Sequence, residues 1–271
     1  MNEAAAEKAM KAHSVPDAQR GVNLEVFVYG TGLDVVLVPS AMRGAADFAQ
    51  LQQDLAQAGY RSLAVNPRCA GNSTGPLEGI DLKDIADDIA LVVNTLCQGP
   101  AHLVGHALGN VGVRATASFR PEVARSVTVM PCGGHNLDLR PAPAPVIAAL
   151  GRCHDLSLPE NERLAALRMA FFAPGNDASV WLDGWWPQSA GIADAIYRTD
   201  PELWWRGGEG PMLYLMPCND AMIDVTTGRE IAAALGERAR YVEINNCGHA
   251  ILPEQGEEVA RQLIAFFASL D

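Results

Sequence analysis

Two kinds of apolar pattern alternate along this chain. The first is the short unbroken run: DVVLVP (34–39), RSLAVN (61–66), AHLVGH (101–106), RSVTVMP (125–131), PMLYLMP (211–217) and RYVEIN (240–245). Such runs suit strands buried on both faces, where alternate side chains point into two different layers. The second has apolar residues every three or four positions, as in AADFAQLQQDLAQAG (45–59), DLKDIADDIALVVNTLC (81–97), residues 108–119, TGREIAAALG (227–236) and EQGEEVARQLIAFFASL (254–270). These predict helices with one buried face. Strand and helix in alternation imply a mostly parallel twisted sheet flanked by helices on both faces. VNLEVFVY (22–29) instead alternates apolar and polar residues and is expected as an antiparallel edge strand, with residues 1–21 an extension ahead of it.

The rhythm breaks after residue 131. Residues 134–208 hold several prolines and helical pieces such as ENERLAALRMAFF (160–172), but no clear strand. They read as a helical insertion between two parts of one core, 22–133 and 209–271. All five tryptophans, 181, 185, 186, 204 and 205, lie inside it, together with Tyr197. Some must build the insertion's own core; five in one segment also suit the roof of an apolar ligand pocket.

Composition narrows the function classes. With 49% hydrophobic and 19% charged residues, the chain has material for a sizeable core. A net charge of -12 with no basic stripe disfavours a nucleic-acid surface. No apolar stretch approaches the roughly 20 residues of a membrane span, and the N-terminus lacks a signal-like apolar run. A soluble cytoplasmic protein is expected, monomer or homodimer. Six cysteines (69, 97, 132, 153, 218 and 247) show no metal-ligand spacing and are expected as free thiols, with no zinc or other metal.

Ligands of an open parallel sheet bind at the carboxyl ends of its strands, and three motifs fall there. GHALG (105–109) places Gly105 and Gly109 two positions either side of Ala107, which gives a sharp strand-to-helix bend the room it needs. The same five residues also suit a turn used only for packing. His249, in NNCGHAIL, follows the strand at 240–245 and precedes the last helix. Asp220, in LMPCNDAMIDV, lies just beyond the strand at 211–217, where a carboxylate can hold an imidazole; Asp224 is its rival.

Together these motifs, in the order elbow, acid, base, resemble the α/β-hydrolases that carry a helical cap inserted after the sixth strand. NPRCAGNSTG (66–75) is similar to the family's D-x-R-G-x-G-x-S loop, with Asn66 in place of the acid and departures at Cys69 and Ala70. PSAMRG (39–44) stands where the family usually has His-Gly. The resemblance implies a serine nucleophile at position 107, His249 as base, Asp220 as acid, and an oxyanion hole from the N–H groups of Ala41 and Leu108. It implies no cofactor and a small hydrophobic ester or lactone as substrate. Ser40, Met42, Trp181, Trp185, Trp186, Tyr197 and Ile251 are the expected substrate contacts. Cys132 is a further candidate pocket thiol, and Arg43 is expected as an exposed loop residue. Alanine at 107 departs from the family pattern. Either it replaces a native serine, inactivating the enzyme, or it is native. A native alanine would leave a His/Asp base enzyme, lyase or oxygenase, or a non-catalytic binding module.

Overall fold

A computed structural model of the protein describes residues 10–131 and 142–270. Eight strands form one sheet: β1 (Lys11–Asp17), β2 (Val22–Gly30), β3 (Leu33–Val38), β4 (Tyr60–Val65), β5 (Ala101–His106), β6 (Ala124–Met130), β7 (Met212–Pro217) and β8 (Ala239–Ile244). Their spatial order is β1-β2-β4-β3-β5-β6-β7-β8. The pairs β1–β2 and β2–β4 are antiparallel and the other five are parallel.

The unbroken apolar runs are explained by two-sided burial. In β3, Val36 and Val38 enter one core layer while Val35 and Leu37 enter the other. Helices α1 (Ala49–Gln57) and α7 (Ile251–Ala268) cover the second layer through Leu51, Leu55, Val259, Leu263 and Phe267. Helices α2 (Leu82–Leu96), α3 (Leu108–Phe119) and α6 (Val225–Leu235) cover the first. The α2 start is fixed by Asp81, whose side chain accepts the N–H groups of Lys83 and Asp84 while Asp84 returns a bond to the Asp81 N–H.

Two expectations about the N-terminal part are corrected. Part of the supposed extension is β1, paired with β2 from Lys11↔Val28 to Asp17↔Val22. Only Val15 of its side chains is buried, so backbone hydrogen bonds rather than an apolar pattern seat it. Consequently β2 is interior, bonded on both sides, not an edge. Its alternation reflects one well-covered face (Val22, Leu24, Val26), and coverage of a face is independent of position in the sheet.

Between β6 and β7 the described residues carry α4 (Ala144–Cys153), α5 (Glu160–Ala170) and short helical turns, with no strand. A separate apolar cluster joins Val146, Ala149, Leu167, Phe171, Phe172, Trp181 and Trp185 to Ala250 of the core. The expected start of the insertion at 134, and Cys132, lie outside the described residues. Trp204 and Trp205 do not join this cluster. Both are buried in the main core, where Arg114 of α3 stacks on Trp204 at 4.8 Å and donates to the Trp205 carbonyl at 3.1 Å. They anchor the returning chain in the main core. Among the described residues no helix is long and apolar enough to cross a membrane.

Candidate active site

One residue, Ala107, separates β5 from α3, and it has φ 48 and ψ -112. Its N–H donates to the Met130 carbonyl at 2.6 Å and its carbonyl accepts from Asn110 N–H at 3.0 Å. Such a left-handed geometry costs a non-glycine residue on the order of 1–3 kcal/mol and persists only where neighbours enforce it. The enforcement is close backbone contact. A Cβ on Gly105 would lie 2.3 Å from the Gly109 carbonyl oxygen, and one on Gly109 would lie 2.1 Å from that of Val38. Because both obstacles are main chain, Gly109→Ala is expected to destabilise the fold by about 3 kcal/mol or more. Thermal unfolding should show this as a drop of roughly 10 °C.

His249 is buried, and its Nδ1 lies 2.8 Å from Asp220 Oδ2. A carboxylate accepts, so Nδ1 carries the proton and Nε2 keeps a lone pair. The Asp220 side chain has 0% exposure, and its other oxygen accepts Met222 N–H at 2.8 Å and Ile223 N–H at 3.1 Å. The rival, Asp224, caps α6 by accepting Thr226 N–H at 2.8 Å and is exposed.

Three residues unassigned in the sequence reading hold the His249 loop. The Nε2–H of His106, the residue before the elbow, donates to the His249 carbonyl at 2.8 Å. Glu254 accepts Gly248 N–H at 2.7 Å through one oxygen, and Ala173 N–H at 2.7 Å and Asn176 Nδ2 at 2.6 Å through the other. Burial raises its pKa. Phe171 accepts Ala250 N–H at 2.9 Å and sets its ring 5.6 Å from that of His249. The sequence signal for His106 and Glu254 is nearness to the two motifs, and Phe171, 78 positions before His249, carries none.

His106 is fully buried, and desolvation, with the nearby His249 adding to it, pushes its pKa down to about 3. The imidazole is therefore neutral when folded, whereas the unfolded chain takes up a proton near pH 6.5. Stability from this group is complete above pH 6.5 and is lost as pH falls from there toward 3. The unfolding free energy of His106→Gln should accordingly depend on pH less steeply between pH 6 and 4. The difference should approach one proton, ~1.4 kcal/mol per pH unit, as read by urea unfolding at several pH values.

The expected substrate contacts divide into two groups. Trp181 and Trp185 are buried with centroids 5.9 Å apart, Trp181 is 6.0 Å from His106 and 5.3 Å from Phe171, and Met42 packs on the same cluster. Ser40 is buried, and its carbonyl accepts Arg43 N–H at 3.1 Å, closing the turn that carries half-buried Ala41 and Met42. Leu108 is the first residue of α3, whose leading N–H groups find no carbonyl within the helix. The other three contacts are corrected. Tyr197 is 79% exposed on the outer surface. Ile251 is fully buried in the layer between sheet and α7. Trp186 lines a separate groove of about 480 Å³ with Glu25, Phe27 and Asn72. Arg43 is a correction of the opposite sense: it is buried, not exposed.

Comparison with known proteins agrees with this architecture. The profile of the alpha/beta hydrolase family matches residues 35–262. A Mycobacterium tuberculosis protein named "Putative non-heme bromoperoxidase BpoC" is 28% identical over 267 residues, covering 92% of this chain and 99% of its own length. The crystal structure of a "putative aryl esterase" from Burkholderia cenocepacia superposes with TM-score 0.80 at 22% identity, over 96% of this chain and 99% of that one. The esterase RhEst1 from Rhodococcus sp. ECU1013 superposes with TM-score 0.76 at 19% identity, over 97% and 99%. These structural likenesses speak for the fold, and the profile, spanning most of the chain, places it: the chain belongs to the alpha/beta hydrolase family.

Proposed function

We propose that the protein is built as a serine-type hydrolase of small hydrophobic carboxylic esters or lactones, and that Ala107 stands where the nucleophilic serine belongs. The observation that carries this reading is the 2.8 Å contact between His249 Nδ1 and Asp220 Oδ2, with the carboxylate wholly buried. Such a pair presents a basic Nε2. The left-handed bend at 107 is the backbone a nucleophile elbow requires.

With serine at 107, His249 Nε2 takes the hydroxyl proton as Oγ attacks the acyl carbon, and Asp220 stabilises the imidazolium. The N–H groups of Ala41 and Leu108 hold the oxyanion. The alkoxide leaves with the histidine's proton, and water then cleaves the acyl-enzyme by the same path. No metal or organic cofactor enters this route. The preference for apolar acyl groups follows from Phe171, Trp181, Trp185 and Met222, which cluster beside His249.

One observation favours a second reading, in which Ala107 is native and the histidine–aspartate pair acts alone as a base. His249 is held through Nδ1 by Asp220 and through its carbonyl by His106, with Ala107 at the elbow. The pair is thus complete without a hydroxyl. The two readings separate by ester hydrolysis in the unaltered chain, His249→Ala and Ala107→Ser. On the first reading only Ala107→Ser turns over. On the second the unaltered chain has an activity that His249→Ala abolishes.

A further inference from the structure

The buried cation beside the site calls for an explanation. Arg43 belongs to the turn at 39–44 yet has 4% side-chain exposure. Its guanidinium lies 4.7 Å from the Trp181 ring centroid and 4.8 Å from that of Trp185. Nε and Nη2 donate to the two oxygens of Asp47 at 2.9 and 2.6 Å, and Nη1 donates to the Asp183 carbonyl at 2.6 Å. Two strands of contact therefore join the turn to the cap segment 181–186. The second is backbone: Trp186 N–H donates to the Met42 carbonyl at 2.8 Å, and Met42 itself has φ 55. The approach is tight, since a Cβ on Gly184 (φ 81) would lie 3.0 Å from Arg43 Nη2.

Three of the five guanidinium N–H groups are spent on Asp47 and the Asp183 carbonyl, and the Asp47 carboxylate already neutralises the charge a substrate carboxylate would seek. The cation lies over both rings of a T-shaped indole pair and its in-plane donors are held by Asp47 and Asp183, which together fix the side chain. Lysine has no fork and cannot make the same set of contacts. Meanwhile the turn it belongs to presents the Ala41 N–H.

We infer that Arg43 is a positioning residue: it locks the turn bearing the Ala41 N–H to the tryptophan wall of the cap, so that oxyanion donor and pocket wall form one rigid unit. This rests on the reading of 39–44 as the oxyanion loop. An independent consequence is that this cap wall does not open as a free lid while Arg43 is in place.

The test has two arms. Amide hydrogen exchange on the unaltered chain and on Arg43→Lys needs no activity. Exchange at position 43 and at Trp186 is expected to accelerate about tenfold or more, with Gly248 and Ala250 unchanged. Unchanged exchange at 43 and 186 overturns the inference, as does uniform acceleration across the sheet. Asp47→Asn, which leaves the cation over its indoles but weakens the fork, should give a smaller effect at the same two amides and guards against a folding defect in Arg43→Lys.

The kinetic arm places Arg43→Lys in the Ala107→Ser background. Turnover on a short-chain p-nitrophenyl ester should fall on the order of 10²-fold with KM nearly constant, since a misplaced donor costs rate rather than binding. A raised KM at unchanged kcat would instead make Arg43 a pocket residue and overturn the claim. If Ala107→Ser is itself inert, the proposed function fails, and the exchange data still decide the role of Arg43.

Discussion

Ala107→Ser is expected to raise ester hydrolysis by about 10⁶-fold in kcat over the unaltered chain, the loss seen when other serine hydrolases forfeit their nucleophile. The argument is one of pre-organisation. Residue 107 already holds φ 48, its N–H and carbonyl are both bonded, and Gly105 and Gly109 leave the bend its space. Adding one oxygen to the Ala107 Cβ asks nothing further of the backbone, because serine tolerates that conformation about as well as alanine does. His249 has its proton on Nδ1 and its Nε2 lone pair available before the hydroxyl arrives. The measurement is initial rate on p-nitrophenyl acetate, butyrate and octanoate and on a set of aliphatic and aromatic lactones. A pre-steady-state burst is expected from the covalent step. Neutral apolar acyl groups should exceed carboxylate-bearing ones, since Arg43, the cation over the aromatic wall, is already paired with Asp47. A folded Ala107→Ser protein inert across the whole panel would eliminate the serine-hydrolase reading and leave the base-only one.

What the chain disclosed about itself follows from the kind of interaction involved. Strands buried on both faces announce themselves as unbroken apolar runs, so β3 at 33–38 and β5 at 101–106 match the expectations of 34–39 and 101–106 within a residue. Motifs at strand ends were readable because backbone geometry dictates residue type there, as with the paired glycines about position 107. Placement of side chains by direction was not readable. Five tryptophans in one segment look alike in sequence, yet Trp181 packs beside His106 and against Trp185, Trp204 and Trp205 enter the main core, and Trp186 turns to another groove. Strand β1 was hidden for a related reason: KAHSVPD pairs through its main chain, which no side-chain pattern reports. Arg43 was misjudged because an arginine in a polar turn is ordinarily solvated. Its partners, Asp183 and two indoles, come from 138 and more positions away along the chain.

Asp220→Asn in the Ala107→Ser background should cost about 10⁴ in turnover while leaving the protein folded, as the equivalent exchange does in other serine hydrolases. Asp220 accepts three N–H groups, from His249, Met222 and Ile223. Asparagine has one acceptor end and one donor end. If its oxygen keeps the two backbone N–H groups, its amide nitrogen faces His249 Nδ1 and donates to it. The imidazole proton then moves to Nε2, the atom that must accept from serine, and the base is lost without disturbing the packing. The reverse orientation sets a donor against two backbone donors in a site with no solvent, at a cost of about 1–3 kcal/mol for each unmet group, so the first arrangement prevails. Asp224→Ala supplies the control. It removes a helix cap worth about 1 kcal/mol from an exposed position four residues away, and it should leave kcat within a few-fold. If Asp224→Ala proves the slower enzyme and Asp220→Asn keeps full activity, Asp220 is not the acid and the proton path through His249 Nδ1 is wrong.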